Sequence, residues 1–83
     1  MANGFWRNQD ADNDGNNANN WYDAETGGSP LGRVPTIGDN ACYSDTASSD
    51  NCTLSGAFDP DNIYFLSADT GGTDNYTGSF NAA

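Results

Sequence analysis

Apolar residues along this chain come in short clusters separated by long polar stretches, and nowhere do they recur at the three- and four-residue spacing of an amphipathic helix. Gly and Pro interrupt often and Asn and Asp fill the gaps, so the pattern predicts short strands joined by wide turns. The first strand is expected at Gly4–Arg7 (GFWR) and the second at Asn20–Ala24 (NWYDA), with an acidic loop between them. Gly-Gly and Ser-Pro mark Glu25–Gly32 as a loop. Pro35 belongs at a strand end or edge, and Gly38-Asp39 forms a turn before a strand over Asn40–Ser44. Across the polar DTASSDN stretch, Cys52–Gly56 reads as the return strand of a hairpin. The most apolar segment, Asn62–Ser67 (NIYFLS), lacks strict alternation, which predicts burial on both faces by the protein itself or by a neighbour. A wide turn over Ala68–Asn75 and a final edge strand over Tyr76–Phe80 complete the pattern.

The expected architecture is all-β: a single small domain over residues 1–83, an antiparallel β-sandwich or jelly-roll-like fold with long Asn/Asp/Gly-rich loops. A chain of this size buries only about 60% of its unfolded surface, so the core is thin. Large aromatics must supply much of it, and Trp6, Trp21, Phe58, Tyr64, Phe65 and Phe80 are the expected core. Packing is preferred over sugar stacking for the two tryptophans, because few other apolar side chains are at hand. So small a core usually needs a staple, and calcium, a disulfide or burial in a larger assembly are the physical candidates.

Charge narrows the partners. Eleven Asp and one Glu against Arg7 and Arg33 alone leave a net charge of −10, which repels phosphate, so nucleic acid is not an expected partner. No basic stretch followed by an apolar run opens the chain and no apolar run approaches ~18 residues, so neither a signal peptide nor a membrane span is expected. A chain made in the cytosol starts with its cysteines reduced, and leaves the sequons at Asn51 and Asn75 unused.

The chemistry-bearing residues are few. Without His and with only Cys42 and Cys52, neither a four-ligand zinc site nor a His-based nucleophilic site can be built. The carboxylates sit in turn-forming stretches where their pKa values should stay low, so no enzyme is expected. The stretch DADNDGNN places Asp10, Asp12 and Asp14 at alternate positions before Gly15, as in the first half of an EF-hand calcium loop. The second half fails: loop position 12 is Trp21 instead of a bidentate Glu, and Glu25 comes four residues too late. Calcium closed by a distant ligand such as Asp23 or Asp39 competes with a hydrated loop of Asx-turns that needs no ion. Calcium is thus the only cofactor under consideration. For Cys42 and Cys52, a hairpin disulfide competes with two buried thiols.

The order of Trp6, Asp14-Gly15, Asn20-Trp21 and the run GRVPTIGDN, with Val34, Pro35, Gly38, Asp39 and Asn40, resembles a module at the front of β-rich phage and bacterial surface proteins. The resemblance covers Phe5–Leu54 and departs from the pattern at Cys42 and Cys52, where apolar strand residues are usual. It implies a β-sandwich or β-solenoid setting in which the Arg33–Pro35 segment lies against Trp21. It also implies a non-enzymatic structural protein of a virus particle, a small phage capsid decoration or cement protein synthesised in the host cytoplasm. Its expected partners are the major capsid protein and further copies of itself. A carbohydrate-binding or adhesive module, with Trp6, Trp21 and Tyr22 stacking on sugars beside bound calcium, is the alternative.

Overall fold

In a computed structural model of the chain, the described residues are 2–65 and 76–81. The expected turn over Ala68–Asn75, the sequon at Asn75, and Leu66 and Ser67 of the expected NIYFLS strand lie outside them. Among the described residues there are six short strands: β1 (Ala2–Trp6), β2 (Trp21–Tyr22), β3 (Asp39–Tyr43), β4 (Cys52–Thr53), β5 (Asn62–Phe65) and β6 (Phe80–Asn81). A 3₁₀ turn, Ala18–Asn20, precedes β2, and the Asn17 side chain caps it by accepting the Asn19 N–H. Among the described residues no helix is long and apolar enough to cross a membrane.

The strand-rich expectation holds, but the pairing differs from the expected antiparallel scheme. One sheet has the order β2-β1-β3-β5 and the other pairs β4 with β6. Only β1 and β2 are antiparallel; β1 with β3, β3 with β5, and β4 with β6 all run parallel. Asp14 also bridges Thr53 in parallel, on the edge of β4 away from β6. The chain therefore winds as a coil. It passes from β1 to the Asp14 bridge, from β3 to β4, and from β5 to β6, laying one rung in each sheet per turn. From β3 onwards, strands adjacent in sequence alternate between the sheets, so β3 and β4 do not pair and the expected hairpin of the two cysteine strands does not form.

The core lies between the sheets. Trp6, Trp21, Ala41, Tyr43, Cys52 and Leu54 are buried, with Leu31, Val34, Phe58, Tyr76 and Phe80 packed against them. Trp21 meets Trp6 and Tyr43 with ring centroids 5.6 Å apart in both cases. Each buried indole N–H has a carbonyl acceptor, Asp50 O for Trp6 and Gly15 O for Trp21. Pro35 is fully buried against Gly4, where a β-carbon would stand 2.7 Å from Pro35 Cγ. Gly4 thus lies between Pro35 and Trp21, whose Cε3 would stand 3.5 Å from the same β-position.

Two expected core residues are corrected. Tyr64 is 42% and Phe65 49% exposed, whereas Tyr43, which the apolar pattern did not single out, is completely buried. The cause is position in the coil: β3 is an inner rung flanked by β1 and β5, while among the described residues nothing pairs with the far edge of β5.

Candidate functional site

The acidic loop is a hydrogen-bonded cap for the first turn of the coil. Asn20, fully buried, donates from Nδ2 to Asp12 Oδ1 and Asp14 O, and its Oδ1 accepts from the Asp10 N–H. Asn17 donates to Asp10 and Asp12, and Asn19 to Asp10. Asn8, buried and at φ 50°, joins Asn13 to Asp50. Asn16 accepts the Ser55 and Gly56 N–H groups and donates to Ala57 O, fastening the turn after β4. Hydrogen bonds from the Asp14 N–H, Asn20 and Asn17 hold the Asp12 carboxyl below its ordinary range.

This donor set does not fit calcium. Amide N–H groups occupy the Asp10 and Asp12 oxygens a cation would need, and among the described residues no three acidic, Cys or His side chains converge on a metal position. Asp23 binds the Ser29 N–H and Asp39 binds Arg33, so neither reaches back to close the loop.

The cysteines do not meet. In β3, Ala41 and Tyr43 face the core, so Cys42 turns to the outer face, while Cys52 lies inside with its Sγ 3.4 Å from the Tyr43 hydroxyl. Burial pushes both thiols up to about 11, reinforced by the Glu25 charge at Cys42 and the Asp14 charge at Cys52. Neither is a nucleophile at neutral pH. Both arginines are committed internally. Arg7 donates to Ala24 O and Gly27 O and lies 4.6 Å from the Tyr22 ring centroid. Arg33 grips the buried Asp39 through two hydrogen bonds of 2.7 and 2.9 Å.

The two ends of the four-stranded sheet are unlike. At one end β2 is covered: Leu31 donates to Trp21 O, Asp23 donates to Ser29 O, and Tyr22 bridges Pro30, which has no N–H to offer a further strand. At the other end stands β5, with Ile63 40% exposed beside Tyr64 and Phe65. Asp61 donates to Asp39 O at the start of this pairing, and among the described residues no strand pairs with the other edge of β5. This edge, which no strand among the described residues pairs with and which carries three large apolar side chains in a row, is the candidate site. The NIYF cluster marked it in the sequence as a segment needing cover, but the edge itself shows only in the topology. No family model, curated protein or solved structure matches the chain.

Proposed function

We propose that the chain is a non-catalytic structural module that docks through the β5 edge on a neighbouring protein subunit. The observation that carries this is the contrast between a covered β2 edge and an apolar β5 edge that is open among the described residues. An open strand flanked by Ile63, Tyr64 and Phe65 is an aggregation hazard unless a partner covers it. The setting is the one the resemblance of Phe5–Leu54 points to. The chain is a small decoration or cement protein of a phage particle, made in the host cytoplasm and seated on the major capsid protein. In this proposal the two packed sheets act as a small sandwich, with the acidic cap turned to water and the β5 end to the shell. The sugar-binding alternative loses its platform, since Trp6 and Trp21 are completely buried and Arg7 lies over Tyr22.

The test is to band virions in a density gradient and probe the fractions for the chain, beside the variants Ile63→Ser and Phe65→Ser. The wild type is expected in the particle band and the variants at the top of the gradient. Wild type found only at the top overturns the proposal.

A further inference from the structure

Each rung of the larger sheet repeats one spacing: Asn3 with Trp6, Asn40 with Tyr43, Asn62 with Phe65. Residues three apart in a strand point to opposite faces, so the motif Asn-x-x-aromatic sends an amide outward and a ring inward. On the outer face the amides form a ladder. Asn40 Nδ2 donates to Asn3 Oδ1 at 2.9 Å, across 37 residues of sequence, and Asn62 Nδ2 donates to Asn40 Oδ1 at 3.0 Å, across 22. On the inner face the rings form a column, Trp6 to Tyr43 at 6.3 Å and Tyr43 to Phe65 at 5.4 Å between centroids. Both series run the same way, each amide donating back to the preceding rung. Both stop at β5, where among the described residues nothing donates to Asn62 Oδ1.

We infer that the strand received by the β5 edge runs parallel to it and carries an asparagine opposite Asn62 and an aromatic opposite Phe65, belonging to a different polypeptide. This inference rests on the docking proposal and specifies the partner. Parallel, in-register stacking alone keeps identical side chains one above another, which is what an amide ladder and a ring column require. The incoming asparagine donates from Nδ2 to Asn62 Oδ1, and the incoming ring covers the exposed face of Phe65.

A second copy of this chain does not meet these terms. Its β1 and β3 are inner rungs and its β2 is covered, leaving β5 as the one open rung of the larger sheet among the described residues. Two β5 strands related by a two-fold axis normal to the sheet run antiparallel, which sets Asn62 towards the Phe65 end of its mate. A two-fold axis along the strands restores parallel direction but sets the amide face of one beside the ring face of the other. Each copy also carries a charge of −10. The partner strand is therefore not the β5 of a second copy; the docking proposal assigns it to a foreign chain, neutral or basic around its motif.

The probe is a capped nonapeptide copying Thr36–Ser44 with serine at the Cys42 position, titrated to millimolar concentration into the isotope-labelled full chain and followed by NMR. Amide shifts are expected at Asn62–Phe65, and a spin label on the peptide N-terminus is expected to broaden Asn62 more than Phe65. Replacing the peptide's asparagine by aspartate sets a carboxylate against Asn62 Oδ1. Replacing its tyrosine by serine removes the ring. Each change is expected to weaken binding about tenfold or more. Absence of shifts at β5, equal binding of the aspartate peptide, or broadening centred on Phe65 overturns the inference. These outcomes are separable from those in virions. Equal peptide binding with the chain still on particles removes the ladder and leaves docking, whereas selective parallel binding with the chain absent from particles removes the capsid setting and leaves the ladder.

Discussion

Asn20 Nδ2 donates to Asp12 Oδ1 over 2.7 Å from a side chain with no exposed surface, and the same amide holds Asp14 O and the Asp10 N–H. One buried residue thus closes the loop that begins the coil. Asn20→Ala is expected to cost about 1–3 kcal/mol, the usual penalty for stranding buried polar groups. Asn20→Asp should cost more, because it replaces the donor with a carboxylate facing Asp12 and a carbonyl. Urea denaturation of the three proteins checks the order.

Because the Asp10 and Asp12 oxygens accept amide N–H groups, the melting temperature is expected to be the same in millimolar calcium and in chelator. Asp12→Asn should lower stability by about 0.5–1.5 kcal/mol in both media, since its new amide cannot accept from all the present donors. A calcium-dependent rise in the wild type that Asp12→Asn abolishes would restore the metal to this loop.

Acid should act through Asp39. Its carboxyl is held below the ordinary 3.8 first by the Arg33 hydrogen bonds, with the Thr36 N–H also contributing. A carboxyl whose folded pKa is depressed contributes stability that is present above the unfolded pKa and lost as pH falls through the folded one. The stability advantage of wild type over Asp39→Asn is therefore expected to be full at pH 6 and to shrink steadily below pH ~4. Thermal unfolding of both proteins across this range measures it, and an advantage independent of pH would remove Asp39 from the account.

How much of this was legible in the sequence depends on range. Local signals marked strands and turns: Trp6 and Trp21 read as core and are buried, whereas the Asp and Asn run read equally as a calcium loop or a self-bonded one. Pairing was not legible, because a run such as NACY looks the same whether its neighbour in the sheet is the next strand in sequence or the one after it. That ambiguity produced the expected cysteine hairpin. It also hid the difference between Tyr43 and Phe65, which occupy the same place in the motif but sit on an inner rung and, among the described residues, an edge rung. The Asn-x-x-aromatic repeat was present in the letters, yet its wide and unequal spacing, 37 and then 22 residues, concealed it.

Ala11 occupies the left-handed region at φ 56° and is exposed, so its side chain strains the cap and packs against little. An L-residue there costs roughly 1–2 kcal/mol, partly offset in a glycine by the extra freedom of the unfolded chain. Ala11→Gly is expected to stabilise the protein by about 0.5–1 kcal/mol in urea denaturation. Ala11→Val should destabilise it, because a branched β-carbon fits that backbone worse still. Destabilisation by glycine would show that the loop gains nothing from relief at this position.

The column Trp6–Tyr43–Phe65 offers the sharpest contrast, because two members face each other in register and differ only in what lies beyond them. Tyr43 has Trp6 on one side and Phe65 on the other, with Phe80 and Tyr76 rings within 5.3 Å, and no exposed surface. Removing its ring leaves a cavity that inner strands on both sides prevent from collapsing. Tyr43→Ala is therefore expected to cost about 3–5 kcal/mol. Phe65 keeps Tyr43 beneath it but is half exposed, so Phe65→Ala loses only part of the transfer term and opens towards solvent, for about 1–2 kcal/mol. Equilibrium unfolding of the isolated protein should separate the two by a factor of two or more. With a strand seated on β5 the Phe65 ring becomes an inner member of the column, and its truncation should then cost in partner affinity what it spared in folding. Equal folding costs for the two truncations would mean that β5 is already covered in the isolated chain, and the edge would not be open for docking.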